Sequence, residues 1–433
     1  MLAWIILIVF ALTYGYLCFG RSHKAASLWV GIGLMLLARA VLADQDPAGA
    51  MTVRGILTEA ISWNVLGVLA GAMVIADLFL DSGVPALMAD RLAERCRSTR
   101  WALLAVCAFS GLVSAFVDNV TTVLLVTPVA LAIVHRTGTN PVPLIVGIAV
   151  SANLQGAATL VGDPPSMLMA GYYRLGFNDF FVYQGRPSLF FAIQVGALAS
   201  LGVLFFFFRD YRAPMPHVEV APVKTWVPVG LILLMIAFLA SSSRFDPGFT
   251  WLAGTGNVLL GLLSLLWYAS RYRQDAKALL KRYDASTIVF LAGIFVLAYA
   301  MDRFGWVKAI ADAIAAAVGD NRFLAYSLIV WVSVLVSAFV DNIAYVALML
   351  PVTSMLSTSV GGSPFLYAAG LLVGACLGGN ITPIGASCNV VACGILRREG
   401  RRVSFWQFAR IGLPFTLAAT TAGYLFIWFV FGR

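Results

Sequence analysis

The hexapeptide SAFVDN occurs twice, at Ser114 to Asn119 and at Ser337 to Asn342, each time inside a long apolar run and at an offset of 223. A charged side chain deep in a bilayer costs about 2.5 to 3.5 kcal/mol on insertion scales, so such groups face a cavity, pair up or carry protons. Asp118 and Asp341 therefore read as a functional pair. Burial disfavours the charged form of a carboxyl, and an aspartate so placed can take a proton from one side and release it to the other. The alternative is local: each aspartate caps the helix that follows a break, its oxygens accepting from free N–H groups. A cap of that kind also builds a site.

Neutral donors and acceptors cluster beside both aspartates: Asn119, Thr121, Thr122, Asn153, Thr159 and Gly162 in the first half, and Asn342, Asn380, Thr382, Gly385, Ser387 and Asn389 in the second. Singly, each is an ordinary helix-packing residue; clustered twice, they are candidate ligands for a solute or ion. Asp163 is not duplicated, since Ala386 occupies its place, and it reads as a coupling residue or as a turn aspartate before two prolines. Cys376 and Cys388 flank the second cluster, where thiols would suit a soft solute such as trivalent arsenic or simply pack. The six cysteines show neither CxxC nor Cys/His ligand spacing, so no disulfide framework, metal site or cofactor is expected.

The elements that must hold these residues are membrane helices. Of 433 residues, 61% are hydrophobic and 11% charged, a balance that belongs to a polytopic membrane protein in a lipid bilayer. Stretches of spanning length fall near 3–19, 25–43, 61–80, 188–208, 226–243, 251–270, 286–301 and 411–431. The first lacks a basic leader and a cleavage site, and the stretch ending at Cys18 does not resemble a lipoprotein signal, so it is expected to be retained. The net charge of +9 sits in short loops, where it sets orientation; no nucleic acid partner is expected.

The chain is one unit duplicated. Pro128, Thr159, Gly162 and Gly171 match Pro351, Thr382, Gly385 and Gly394 at 223, and Trp4, Trp29, Gly71 and Gly83 match Trp226, Trp251, Gly293 and Gly305 at 222. The expected division is an N-terminal repeat over 1–208, a cytoplasmic linker over 209–225 and a C-terminal repeat over 226–433. Basic residues follow the first and third spans of half one (Arg21, Lys24; Arg91, Arg95, Arg97, Arg100), whereas Asp44, Asp46 and Glu59 follow the second. In half two they follow the second span instead (Arg271, Arg273, Lys277, Lys281, Arg282), and Arg397, Arg398, Arg401 and Arg402 end the late region. By the positive-inside rule the repeats have opposite topology, a signature of secondary transporters.

Two regions in each half are too long for one span and too short for two. From Trp101 to Val134 the only carboxylate or basic side chain is Asp118. From Thr137 to Tyr173 the only charge is Asp163, and Gly156, Gly162, Pro164 and Pro165 interrupt the run. A re-entrant segment or a broken helix is expected, with the first break near Asp118-Asn119 or Pro128. Phe323 to Leu396 repeats the pattern with Asp341 as its sole charge. Paired interrupted segments point to a binding site at the bilayer midplane.

SAFVDNVTTVLLVTP with GAATLVGDPPSMLMAG, and SAFVDNIAYVALMLP with GGNITPIGASCNVVACG, resemble the signature regions of the arsenite permease and P-protein family within the ion transporter superfamily. The resemblance spans essentially the whole chain. It implies an all-α, inner-membrane secondary transporter, commonly a homodimer, with scaffold helices around a mobile unit of two re-entrant hairpins and two broken helices. Carried onto this sequence, it marks Asp118-Asn119, Thr159, Gly162 to Pro165, Asp341-Asn342, Thr382 and Gly385 to Asn389 as site residues. The Ser-Asn-Thr tips of the sodium-dicarboxylate branch are absent; SANLQG and GACLGGN stand in their place.

The first functional expectation is efflux of arsenite or antimonite driven by proton influx, with Asp118 and Asp341 as the protonatable pair and the neutral groups holding an uncharged trihydroxy solute. The interrupted segments carry no arginine or lysine, which counts against a multivalent anion such as citrate. A sodium/proton or anion exchanger of the same fold is the alternative, and a passive channel is a further one. The chain is not expected to be an enzyme: the GxGD pattern of intramembrane aspartyl proteases is missing, with Leu160 at its first glycine. No nucleotide-binding motif occurs, so any ATP dependence would need an ATPase subunit docked on the basic loops.

Overall fold

The computed structural model describes residues 1–20, 24–42, 51–212 and 222–432, without the side chains of Cys18 and Phe19. Arg21, Asp44, Asp46 and linker residues 213–221 lie outside the described residues. Half one begins with α1 (Leu2–Phe19), α2 (Lys24–Val41) and α3 (Trp63–Asp81), the last entered through a short helical turn whose second part, Ile56–Ala60, is π-helical. Then come α4 (Val84–Glu94), α5 (Thr99–Ser114), α6 (Asn119–Thr137), α7 (Pro141–Gly156), α8 (Pro164–Tyr173) and α9 (Leu189–Phe207). A two-residue ladder of β1 (Val182–Tyr183) and β2 (Arg186–Pro187) precedes α9.

Half two repeats the order with α10 (Val227–Phe245), α11 (Leu252–Arg271), α12 (Arg273–Arg282), α13 (Ala285–Arg303) and α14 (Trp306–Val318). It continues through α15 (Arg322–Ser337), α16 (Asn342–Val360), α17 (Pro364–Gly378), α18 (Ser387–Arg398) and α19 (Phe405–Phe431). Among the described residues, 10 helices are long and apolar enough to cross a membrane. A helix forms at each span expected from the sequence, the first of them, over 3–19, counting among the shorter apolar helices and not among these 10.

Cross-half contacts show how the repeats are related. The end of α3 meets the start of α13, where Asp81 pairs with Arg282 at 3.4 Å, and the end of α13 meets the entry to α3, where Arg303 pairs with Glu59. Since α3 and α13 are repeat equivalents at 222 and run antiparallel, the duplication is inverted. The packing obeys the same exchange: α3 lies along α11, and α13 along the equivalent α2. Two contacts join a residue to its own counterpart at 223: Gly196, where an added Cβ would sit 2.8 Å from the Ala419 carbonyl oxygen, and Asn153, which donates to the Cys376 carbonyl at 2.8 Å. Both mark the pseudo-twofold axis.

The α3–α11 seam is close because small residues line it. Cβ atoms added at Gly67 and Gly71 would fall 2.9 and 2.1 Å from the backbone of Gly254 and Asn257. Asn64 ties the seam's edge, donating to Phe249 O at 2.9 Å and accepting from Gly254 N at 2.6 Å. Without a hydrophobic drive between helices in lipid, such packing and interhelical bonds hold a bundle together.

Both interrupted regions are broken as expected, but the break falls at the aspartates and not at Pro128. Residues 115–118 separate α5 from α6 and residues 338–341 separate α15 from α16, while Pro128 and Pro351 sit inside α6 and α16. Residues 157–163 separate α7 from α8, and 379–386 separate α17 from α18.

Candidate functional site

Each half docks its two breaks on each other. The Thr159 hydroxyl donates to the Ala115 carbonyl, and Thr382, its equivalent, donates to Ala338 O at 2.5 Å. Gly162 and Gly385 lie in the same contact: a Cβ at Gly162 would stand 2.5 Å from Gly156 O and 2.8 Å from Ser114 O, and one at Gly385 2.6 Å from Gly379 O and 2.9 Å from Ala338 O. These four residues build the site by holding unwound backbone together and do not themselves line it.

A cavity of about 490 Å³ opens where the breaks meet. The N-terminal ends of the four helices that follow the breaks border it: Asp118 to Thr121 at α6, Asp163 and Pro164 at α8, Asn342 and Ile343 at α16, Ala386 and Ser387 at α18. Asn153 of α7 also faces it. Of the candidates that residue type and clustering single out, seven side chains thus share one cavity: Asp118, Asn119, Thr121, Asn153, Asp163, Asn342 and Ser387.

The others lie behind the lining. Asn380 donates to Val150 O at 3.1 Å and accepts from Asn153 at 3.0 Å, while Asn389 bonds Gly379 O and Thr382 O at 3.0 Å each. With the bond from Asn119 to Asn153 at 3.1 Å, a buried amide chain crosses from one repeat to the other. Thr122 is buried and its hydroxyl has no partner among the described residues. Cys376 and Cys388 are fully buried and neither reaches the cavity, so the suggested thiol contacts to a solute have no geometric support; Cys388 instead points its sulfur 3.7 Å from Ala149 O.

Asp118 and Asp341 are not equivalent in the folded chain. Both cap their helices, Asp118 accepting from Thr121 N at 3.0 Å and Asp341 from Ile343 N at 3.1 Å. Asp341 is also ion-paired with Lys24 at 3.5 Å and is not among the cavity's lining residues. The reason is in the repeat: the position equivalent to Lys24 at 222 is Asp246, a like charge that cannot pair with Asp118. Asp246 turns instead to the start of α11, accepting from the amides of Thr250, Trp251 and Leu252 at 2.9 to 3.0 Å. Desolvation pushes its carboxyl up, but these donors outweigh it and bring the pKa down to about 2.

Four polar lining residues escaped the sequence reading: Asp77 on α3, Arg282 at the end of α12, and Asp284 and Thr287 at the start of α13. Arg282 overturns the inference drawn from the absence of basic residues in the interrupted segments, because a cation reaches the cavity from outside them. Asp77 carried a usable signal, an acid inside an apolar span. Among the described residues, no three His, Cys, Asp or Glu side chains gather as a metal cage.

A second cavity, of about 520 Å³, lies on the opposite face. Its Ala60, Ser62 and Phe295 stand where Arg282, Asp284 and Met73 stand in the first, at the offset of 222. The two are repeat-related vestibules. Helix α8, about 15 Å long by its 10 residues, begins at the first and ends at the second, and Gly171 near its end packs so tightly on α3 that an added Cβ would lie 2.7 Å from Val65. Only the first vestibule reaches the breaks.

A sequence model of the citrate transporter family, CitMHS, matches residues 5–371. The chain is 32% identical over 391 residues to an uncharacterized transporter of Mycobacterium tuberculosis, covering 86% of this chain and 88% of that protein. It is 27% identical to the P protein of Mus musculus, covering 97% of this chain and 59% of that longer one. Among solved structures, the YdaH transporter of Alcanivorax borkumensis aligns with a TM-score of 0.62 at 17% identity, over 99% of this chain and 97% of that one. MtrF of Neisseria gonorrhoeae, presented as illuminating a class of antimetabolite efflux pumps, aligns with a TM-score of 0.56 at 18% identity, over 97% of each chain. At these identities the two structures speak for the fold alone.

Proposed function

The chain belongs to the citrate transporter family, and on that premise, which makes it a multi-pass secondary membrane transporter, we propose that it couples proton movement to transport of a small carboxylate-bearing solute. The observation that carries this reading is the convergence of four helix N-termini and Arg282 on one cavity. The positive dipole ends favour an anion there, α18, which has no side-chain cap, keeps the N–H groups of its first turn for one, and a guanidinium is suited to a carboxylate. The volume is of the order that holds a small organic molecule.

Asp77, Asp118, Asp163 and Asp284 share that cavity with the solute. Ionised carboxylates and an anionic solute repel at close quarters in a medium of low dielectric, so occupation by the anion favours protonated acids. That mutual dependence is what a proton-coupled carrier needs. By the distribution of Lys and Arg, the vestibule that reaches the breaks faces the cytoplasm of a cell whose inner membrane holds the protein. Inverted repeats with one vestibule on each face support alternating access by exchange of the two.

A second reading, efflux of arsenite or antimonite, draws on the neutral side of the same lining: Asn119, Asn153, Asn342 and Ser387 suit an uncharged trihydroxy solute. Uptake of labelled citrate and of arsenite into proteoliposomes under an imposed pH gradient separates the two. We expect citrate to accumulate with inward proton flow and to lose accumulation when a protonophore is added. Movement of arsenite with none of citrate would overturn the carboxylate reading in favour of the second.

A further inference from the structure

The breaks leading into α8 and α18 differ in one residue whose chemistry nothing else in the fold accounts for. Gly162-Asp163-Pro164-Pro165-Ser166 and Gly385-Ala386-Ser387-Cys388-Asn389 occupy equivalent places. The second residue has the same extended backbone in both, φ −149° and ψ 142° at Asp163, φ −142° and ψ 148° at Ala386. Alanine follows this path unaided, so the chain course does not require the carboxylate. Nor does Asp163 cap its helix: it makes no side-chain bond to the first turn of α8, where Pro164 and Pro165 have no N–H to give.

Asp163 is 3% exposed, lines the cavity, and its Oδ2 has no hydrogen-bond partner among the described residues. Among the described residues neither nearby cation pairs with Asp163: Lys24 pairs with Asp341, and Arg282, which lines the cavity, reaches Asp81. The charged or titratable groups that act on Asp163 are Asp118, Asp341 and the thiols Cys376 and Cys388, and across the cavity Asp77, Arg282 and Asp284. With Oδ2 buried and without a donor among the described residues, the ionised form of this carboxylate is expensive to keep. A proton is the ligand that fits it.

The geometry points to Asp163 as the group that carries the coupled proton: protonated while the anionic solute shares the cavity, and deprotonated when the empty cavity opens to the other side. One proton passes between the Asp163 carboxylate and water in the open vestibule, and no other bond changes. The inference rests on the proton-coupled reading, and it moves coupling from the duplicated pair to the one acid that is not duplicated. Asp118 and Asp341 each accept a backbone N–H from the helix that follows, a bond that Asp163 lacks, and Asp341 has Lys24 as well.

Two readouts on purified, reconstituted full-length protein test this. Infrared difference spectra across a pH titration should show a carboxylic-acid band in the wild type that Asp163→Asn removes and Asp341→Asn keeps; a band unaffected by Asp163→Asn overturns the inference whatever the solute proves to be. In proteoliposomes with citrate as probe, Asp163→Asn should lose accumulation against a gradient and flatten the pH profile, with Asp163→Glu restoring the profile. Wild-type-like, pH-driven accumulation by Asp163→Asn overturns the inference and leaves the carboxylate reading standing. The infrared result combined with no citrate movement by the wild type supports Asp163 and sinks the carboxylate reading.

Discussion

The two breaks that start α8 and α18 share a backbone and differ in chemistry. Each is clamped by a threonine hydroxyl to the neighbouring break and each brings a glycine against carbonyl oxygens, at the same offset of 223. Yet the first presents a carboxylate followed by two prolines, and the second an alanine followed by Ser387 and Cys388, whose amides lack an intrahelical acceptor. One end offers a proton site without donors; the other offers donors without a charge. Duplication supplies two equal frames, and divergence at a few positions assigns them unequal work. Lys24 and Asp246 follow the same rule, equivalent in place and opposite in sign, which is why Asp341 is paired and Asp118 faces the cavity.

The shared frame is the part most easily broken. Gly162→Ala and Gly385→Ala each force a Cβ to within 2.5 or 2.6 Å of a carbonyl oxygen, and overpacking of this kind costs about 1–3 kcal/mol. Thermal unfolding in detergent should show comparable losses for the two substitutions. A loss confined to one of them would mean that the breaks are not packed alike.

A smaller effect sharpens the contrast at Lys24 and Asp246. The Asp246 pKa of about 2 lies below the unfolded value of about 3.9, so its contribution is complete above the unfolded value and fades as pH falls from there through the folded one. Because the side chain is only half-buried and solvent screens it, Asp246→Asn should lower stability at neutral pH by only about 1 kcal/mol. Melting curves of the two proteins should converge in acid; a difference that persists there would assign the effect to something other than the carboxylate's charge.

The spans, the duplication and the approximate places of the breaks were legible in the sequence, because each is written in local composition: apolar length, repeated motifs, and Gly or Pro within apolar runs. Inversion could be read from Lys and Arg in the loops, and the antiparallel ion pairs of α3 and α13 agree with it. What composition could not say is which residues meet across the bundle. Arg282 read as a loop charge until the start of α13 placed it at the cavity, and Pro128 read as one of two places for the break although a membrane helix accommodates it. The identity of the two SAFVDN motifs suggested two equal aspartates; their difference lies in Lys24, which no motif contains.

On the proposed function, the second break receives the anion because its amides are free, and the repeat itself supplies the test. Ser387→Pro gives α18 the residue that α8 has at Pro164, at a helical position that accepts proline and after a residue already extended. It removes the N–H together with the Ser387 hydroxyl, and Ser387→Ala, which removes the hydroxyl alone, is the control. Equilibrium binding of labelled citrate to the purified variant, with unfolding temperature as the check on folding, should be weakened at least about tenfold, the scale of a hydrogen bond to a charged group. Unchanged affinity in a fully folded Ser387→Pro protein would contradict anion capture at the second break.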